Sequence, residues 1–101
     1  VARGDVVATM TEIASGETLD IKPFGGEKWT IHNIYTGGPA TLIRIHDDGA
    51  NVYSIEIDST DTAGGWVNYV FHVTETDYLQ VRNDDTSAKP IGYDGVIVVS
   101  P

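Results

Sequence analysis

A chain of 101 residues with 41% hydrophobic content has the size and composition of one folded domain with a modest core, which excludes a disordered chain. Fifteen Asp and Glu against six Lys and Arg leave a formal charge of −9, so nucleic acid and anionic membrane are excluded as partners. With no cysteine, disulfide frameworks, thiolate zinc sites and cysteine nucleophiles are excluded together.

Val1 to Asp5 lacks a burial pattern and reads as a flexible arm ahead of a single domain over 6–101. Eight runs rich in β-branched and aromatic residues then follow, each closed by Gly, Pro, Asn or Asp. Val6 to Ala14 ends at Ser15-Gly16, and the short run Leu19 to Lys22 is stopped by Pro23 and Gly25-Gly26. Trp29 to Tyr35 is closed by Gly37-Gly38-Pro39. Ala40 to His46 and Val52 to Ile57 flank Asp47-Asp48-Gly49-Ala50-Asn51, the clearest hairpin of the chain. After the polar loop Ser59 to Gly65, Trp66 to Val73 is the strongest strand, with Val67, Tyr69, Phe71 and Val73 expected on one face. Tyr78 to Asn83 should point Leu79 and Val81 inward, and the loop Asp84 to Pro90 leads into Ile91 to Val99. That last run becomes apolar on both faces at Val96, Ile97, Val98 and Val99, which suggests a central strand or a subunit interface. The pattern predicts an all-β fold, a two-sheet antiparallel β-sandwich of about eight strands with jelly-roll-like connections.

No apolar run approaches the ~20 residues of a membrane span, and the start lacks the regions of a signal peptide. A Val-Ala start is what initiator-Met removal leaves before a small residue, so a whole small gene product is expected. Arg3-Gly4-Asp5 spells an integrin-recognition tripeptide, but nothing nearby points to an adhesion protein, and a terminal arm accounts for it. His32, His46 and His72 lie on different predicted strands without the paired spacing of a metal motif; surface or interface histidines account for them. Asp47-Asp48, Asp58 to Asp61 and Asp84-Asp85 offer oxygen ligands to calcium, yet Asp and Asn serve turns for conformational reasons alone. Trp29, Tyr35, Trp66, Tyr69, Tyr78 and Tyr93 could form a sugar-stacking platform, although at least half should be core. No serine sits in a nucleophile elbow and no carboxylate pair is marked for acid–base work. The reading is therefore a non-enzymatic chain with no catalytic residues, metal or cofactor.

Three stretches look alike to one kind of protein: Trp29-Thr30-Ile31-His32-Asn33-Ile34-Tyr35, Tyr69-Val70-Phe71-His72-Val73-Thr74 and Ile91-Gly92-Tyr93-Asp94-Gly95-Val96. Together they resemble the small all-β decoration or cement proteins of tailed-bacteriophage capsids. In those proteins a W-x-I-x-N-I strand precedes a hairpin with an Asp-Gly turn, and a strand pair ending in Asn precedes a Y-x-G strand. The pair here runs from His72 to Asn83, with Thr76 departing from the Asn of the pattern. The resemblance spans roughly residues 5 to 98. It implies a virion protein, assembled in the host cytoplasm, that sits as a homotrimer on the major capsid protein. In that role Val1, Ala2, Arg3, Gly4 and Asp5 are the expected capsid-binding arm, and Val96, Ile97, Val98 and Val99 the expected subunit interface. The alternative is a carbohydrate-binding β-sandwich using exposed aromatics, in which Trp29 or Trp66 could be removed without harm to the fold.

Overall fold

The computed structural model describes residues 4–100, and within them the chain forms eight strands and no helix. In order they are β1 (Val6–Ile13), β2 (Thr18–Ile21), β3 (Lys28–Thr36), β4 (Ala40–Asp47), β5 (Val52–Thr60), β6 (Trp66–Val73), β7 (Asp77–Asn83) and β8 (Lys89–Val99). Each expected run is a strand, with ends shifted by a few residues at most. The turn residues set these limits: at the β4–β5 reversal Gly49 takes φ +89°, and Asp47 and Asp48 accept the following backbone N–H groups.

The strands form two antiparallel four-stranded sheets, ordered β1-β8-β3-β6 and β2-β7-β4-β5. Six of the seven connections cross from one sheet to the other and only β4–β5 is a hairpin within a sheet, the jelly-roll arrangement of a β-sandwich. Residues paired across neighbouring strands share a face, so the register identifies the interior. In the first sheet Trp29, Ile97 and Val73 lie in one row, and Ile34, Tyr93 and Trp66 in another. In the second, Ile21 and Leu79 face them, as do Val81 and Leu42. All of these but Tyr93, which packs against the cluster partly buried, are buried. Each fully buried aliphatic side chain contributes roughly 1.5–3 kcal/mol. Gly95 lies between Val7 and Ile31 in adjacent strands, and a Cβ there would stand 2.2 Å from the Thr30 carbonyl oxygen.

Val67 does not join the inner face of β6. The β3–β6 pairing jumps between Ile31/Phe71 and Asn33/Val67, and Asn68 sits at φ +66°. This bulge changes the parity of the strand: Trp66 turns inward and Val67 turns out. The expected flexible arm also needs correction at its last two residues. Gly4 donates its N–H to the Ile97 carbonyl at 2.7 Å, and Asp5 accepts from the Ile97 N–H at 3.0 Å, extending the β1–β8 pairing. Val1, Ala2 and Arg3 lie outside the described residues.

Candidate interaction surfaces

β5 and β6 are each an edge strand of their sheet, and they lie on the same side of the sandwich. Two side-chain bonds bridge the layers there. The Trp66 indole Nε1 donates to Asp58 Oδ2 at 2.7 Å, and the Arg44 guanidinium donates to the His72 carbonyl at 2.8 Å. Arg44 pairs with Leu79 and Ile55 and so faces inward, from a strand whose Ile43 and Ile45 face out under flanking polar side chains. Beyond these bridges the layers gape. Ile55 and Tyr53 on β5 share the inner face with Arg44 and His46, yet they are 65% and 62% exposed. On β6 the rings of Tyr69 and Phe71 stack at 6.0 Å and line an open hollow of about 190 Å³ with Leu42, Ile57 and Trp66. Val52 on β5, and Val67 and Val70 on β6, extend this apolar surface around the edge. A contiguous exposed patch of this kind marks a binding surface more often than a bare protein face.

A second apolar area covers the outer face of the first sheet. Val6 pairs with Val96, which pairs with Thr30, and Met10 pairs with Gly92. Val6 and Met10 are among the most exposed apolar side chains. The four residues expected at a subunit interface therefore divide. Val96 and Val98 face outward, Val99 is exposed at the strand end, and Ile97 lies in the chain's own core at 1% exposure. Alternation in a central strand explains the split: one face of β8 packs on the opposite sheet and the other belongs to the outer face of its own sheet.

Polar clusters elsewhere are tied into the fold. His46 Nδ1 lies 2.7 Å from Asp77 Oδ1 and its Nε2 3.5 Å from Asp48 Oδ2. The hydrogen bond to Asp77 holds the imidazole pKa above its usual value, with Asp48 adding to the effect. The Asp48 carboxyl is held below its usual range, first by the backbone N–H groups of Asn51 and Ala50. Asp58 is lowered by the Trp66 indole and then by the Ser59 N–H. An end hollow of about 450 Å³ contains three carboxylates. Each is engaged: Glu27 accepts from Trp29 Nε1, Glu75 from the Gly26 N–H, and Asp77 contacts His46.

Of the other candidate residues, His32 and His72 are exposed on the first sheet while His46 lies in the second. Among the described residues no three His, Asp or Glu side chains gather as a metal site would need. The tryptophans expected at a stacking platform are both buried, each 4% exposed with its indole N–H bonded to a carboxylate. Tyr78 is buried beneath the Lys22 ammonium. Sequence reasoning missed the β5–β6 edge because its strands were read for what they bury. The signal was present in β6, which runs from Trp66 to Val73 without a single Asp, Glu, Lys or Arg. No known protein family matches this chain, and no curated protein is significantly similar to it in sequence.

Proposed function

We propose that this chain is a structural virion protein, a decoration or cement subunit that binds the major capsid protein of a tailed bacteriophage as a homotrimer. The observation that carries this reading is the separation of surfaces on a small acidic jelly roll. Exposed apolar side chains stand on the outer face of the first sheet, as Val6, Met10 and Val98, and at the β5–β6 edge, while the outer face of the second sheet carries Asp20, Lys22, Glu56 and Arg82. A lone soluble domain gains nothing from such areas, whereas a lattice subunit needs them to meet its neighbours. The acidic remainder suits docking on positive patches of a shell and keeps unassembled copies in solution. Val1, Ala2 and Arg3, ahead of the docked Gly4 and Asp5, are the capsid-binding arm on this reading. The sugar-binding alternative loses its two tryptophans to the core.

The test is sedimentation with phage heads. Purified protein mixed with heads of the encoding phage that lack it should pellet with them, saturate at a fixed number of copies per head, and be released by salt. Protein left in the supernatant at low salt rejects the capsid role.

A further inference from the structure

We propose that copies of this chain join head to tail, the β5–β6 edge of one copy being covered by the β1 side of the next. The edge strand β6 is the only described strand with no charged residue. Proteins that remain single guard such edges with charges, prolines, bulges or a covering loop; β6 has no charge or proline, and its bulge at Asn68 lies near one end, leaving Tyr69 to Val73 unguarded. Its inner residues Tyr69 and Phe71 line an open hollow with Ile57 and Asp58 of β5, and Ile55 stands at the next inner position of that strand. The Arg44 bond to the His72 carbonyl and the Trp66 bond to Asp58 hold the two layers at that spacing, so the cleft is formed before anything enters it.

The charge pattern selects a second copy as the occupant. With a net charge of −9, two copies repel each other everywhere except across uncharged surface. The two carboxylates of β5 are engaged within the chain, Asp58 by the Trp66 indole and Glu56 by Arg82 on the outer face, so the cleft offers a basic partner little free charge. One further surface has the same character: β1 is uncharged from Val6 to Thr11, with Val6 70% and Met10 60% exposed. Sheet order places β1 and β6 at opposite edges of the same sheet. Two different patches on opposite sides cannot satisfy each other in a two-fold dimer; they join heterologously and close into a ring when the rotation permits. The inference rests on the capsid reading only for the expectation of three copies.

The experiment is solution mass by light scattering for the wild type, Ile55→Glu and Met10→Glu, with thermal unfolding run on each. Both side chains are exposed, so each variant should keep one cooperative unfolding transition, lowered from the wild type only by the lost stabilisation of association. The wild type should have a finite mass of three or more times the 10.9 kDa chain, and each variant alone should fall to the chain mass. Mixed at high concentration, the two variants should form a dimer of one copy each, because Met10→Glu keeps an intact cleft and Ile55→Glu an intact β1. A monomeric wild type, a dimer that Met10→Glu leaves whole, or no mixed dimer overturns the proposal. A ring that behaves as expected but ignores phage heads keeps this inference and sinks the capsid reading; a monomer that binds heads does the reverse.

Discussion

Asn83 shows how a single side chain fastens several segments. It is 1% exposed, and its amide donates to the carbonyls of Ile13 and Ser87 at 2.8 and 3.0 Å while its oxygen accepts from the Asp85 N–H at 3.0 Å. The end of β1 and the β7–β8 loop thus close on one buried group whose hydrogen-bonding capacity is used. Asn83→Ala strips all three bonds and leaves their backbone partners unmet, a loss of about 3 kcal/mol that should appear as a lower urea midpoint at unchanged slope. His46 acts at the opposite end of the molecule, between the β4–β5 turn and the start of β7. Its folded pKa is raised above 6.5, chiefly by Asp77, so the protonated ring is favoured by folding. That contribution is complete below 6.5 and is lost as pH rises through the raised folded value. The imidazole titration followed by NMR should therefore have its midpoint above 6.5, and Asp77→Asn should bring it back toward that value. A midpoint at or below 6.5 in the wild type would contradict the pairing.

At the scale of an element, β6 is held at its two ends, by Trp66 and by the fully buried Val73. Trp66 is buried at its start, stacked in register with Ile34 and bonded to Asp58, whereas Val67 to Val70 are exposed. Trp66→Ala should cost about 3–5 kcal/mol, measured by chemical denaturation, through the cavity it leaves and the lost anchor of an edge strand. This is the opposite of the fold-preserving change expected for a sugar platform. The eight strands were legible because turn chemistry is local: Ser15-Gly16, Gly37-Gly38-Pro39 and Asp48-Gly49 announce where each run stops. Leu79 and Val81 were legible as inward residues because β7 alternates without interruption. Facing was lost wherever a bulge intervened, as at Asn68, where one left-handed residue moved Val67 from the inner to the outer face. Arg44 was hidden for a related reason. Its neighbours Ile43 and Ile45 carry the apolar pattern, but the outer face of β4 shelters them beneath longer side chains, leaving Arg44 to enter the gap between the sheets. The apolar edge itself depends on sheet order, and pairing between distant strands is invisible to local pattern.

For the whole molecule, the decisive arrangement is that opposite edges of the first sheet bear uncharged stretches, Val6 to Thr11 of β1 and the whole of β6, while most carboxylates lie on the turns and the second sheet. Many of those carboxylates order their own turns: Asp48, Asp58 and Asp85 each accept nearby backbone N–H groups. The acidic composition thus sets loop geometry as well as solubility, and it restricts the places where equal copies can touch. The same topology also governs when the fold can arise. β8 lies between β1 and β3, so these two strands share no direct pairing, and Gly4 and Asp5 also attach to it through Ile97. A nascent chain that has emerged only as far as β7 therefore has β3 and β6 able to pair, with β1 unattached and half the core rows unfilled. Closure of the sandwich waits for the last strand to leave the ribosome, and contacts across nearly the full sequence make that step slow by the measure of loop-closure entropy. Until then the edge of β3 that β8 will occupy is open to any neighbouring chain, which makes synthesis the stage most exposed to aggregation and most dependent on chaperones.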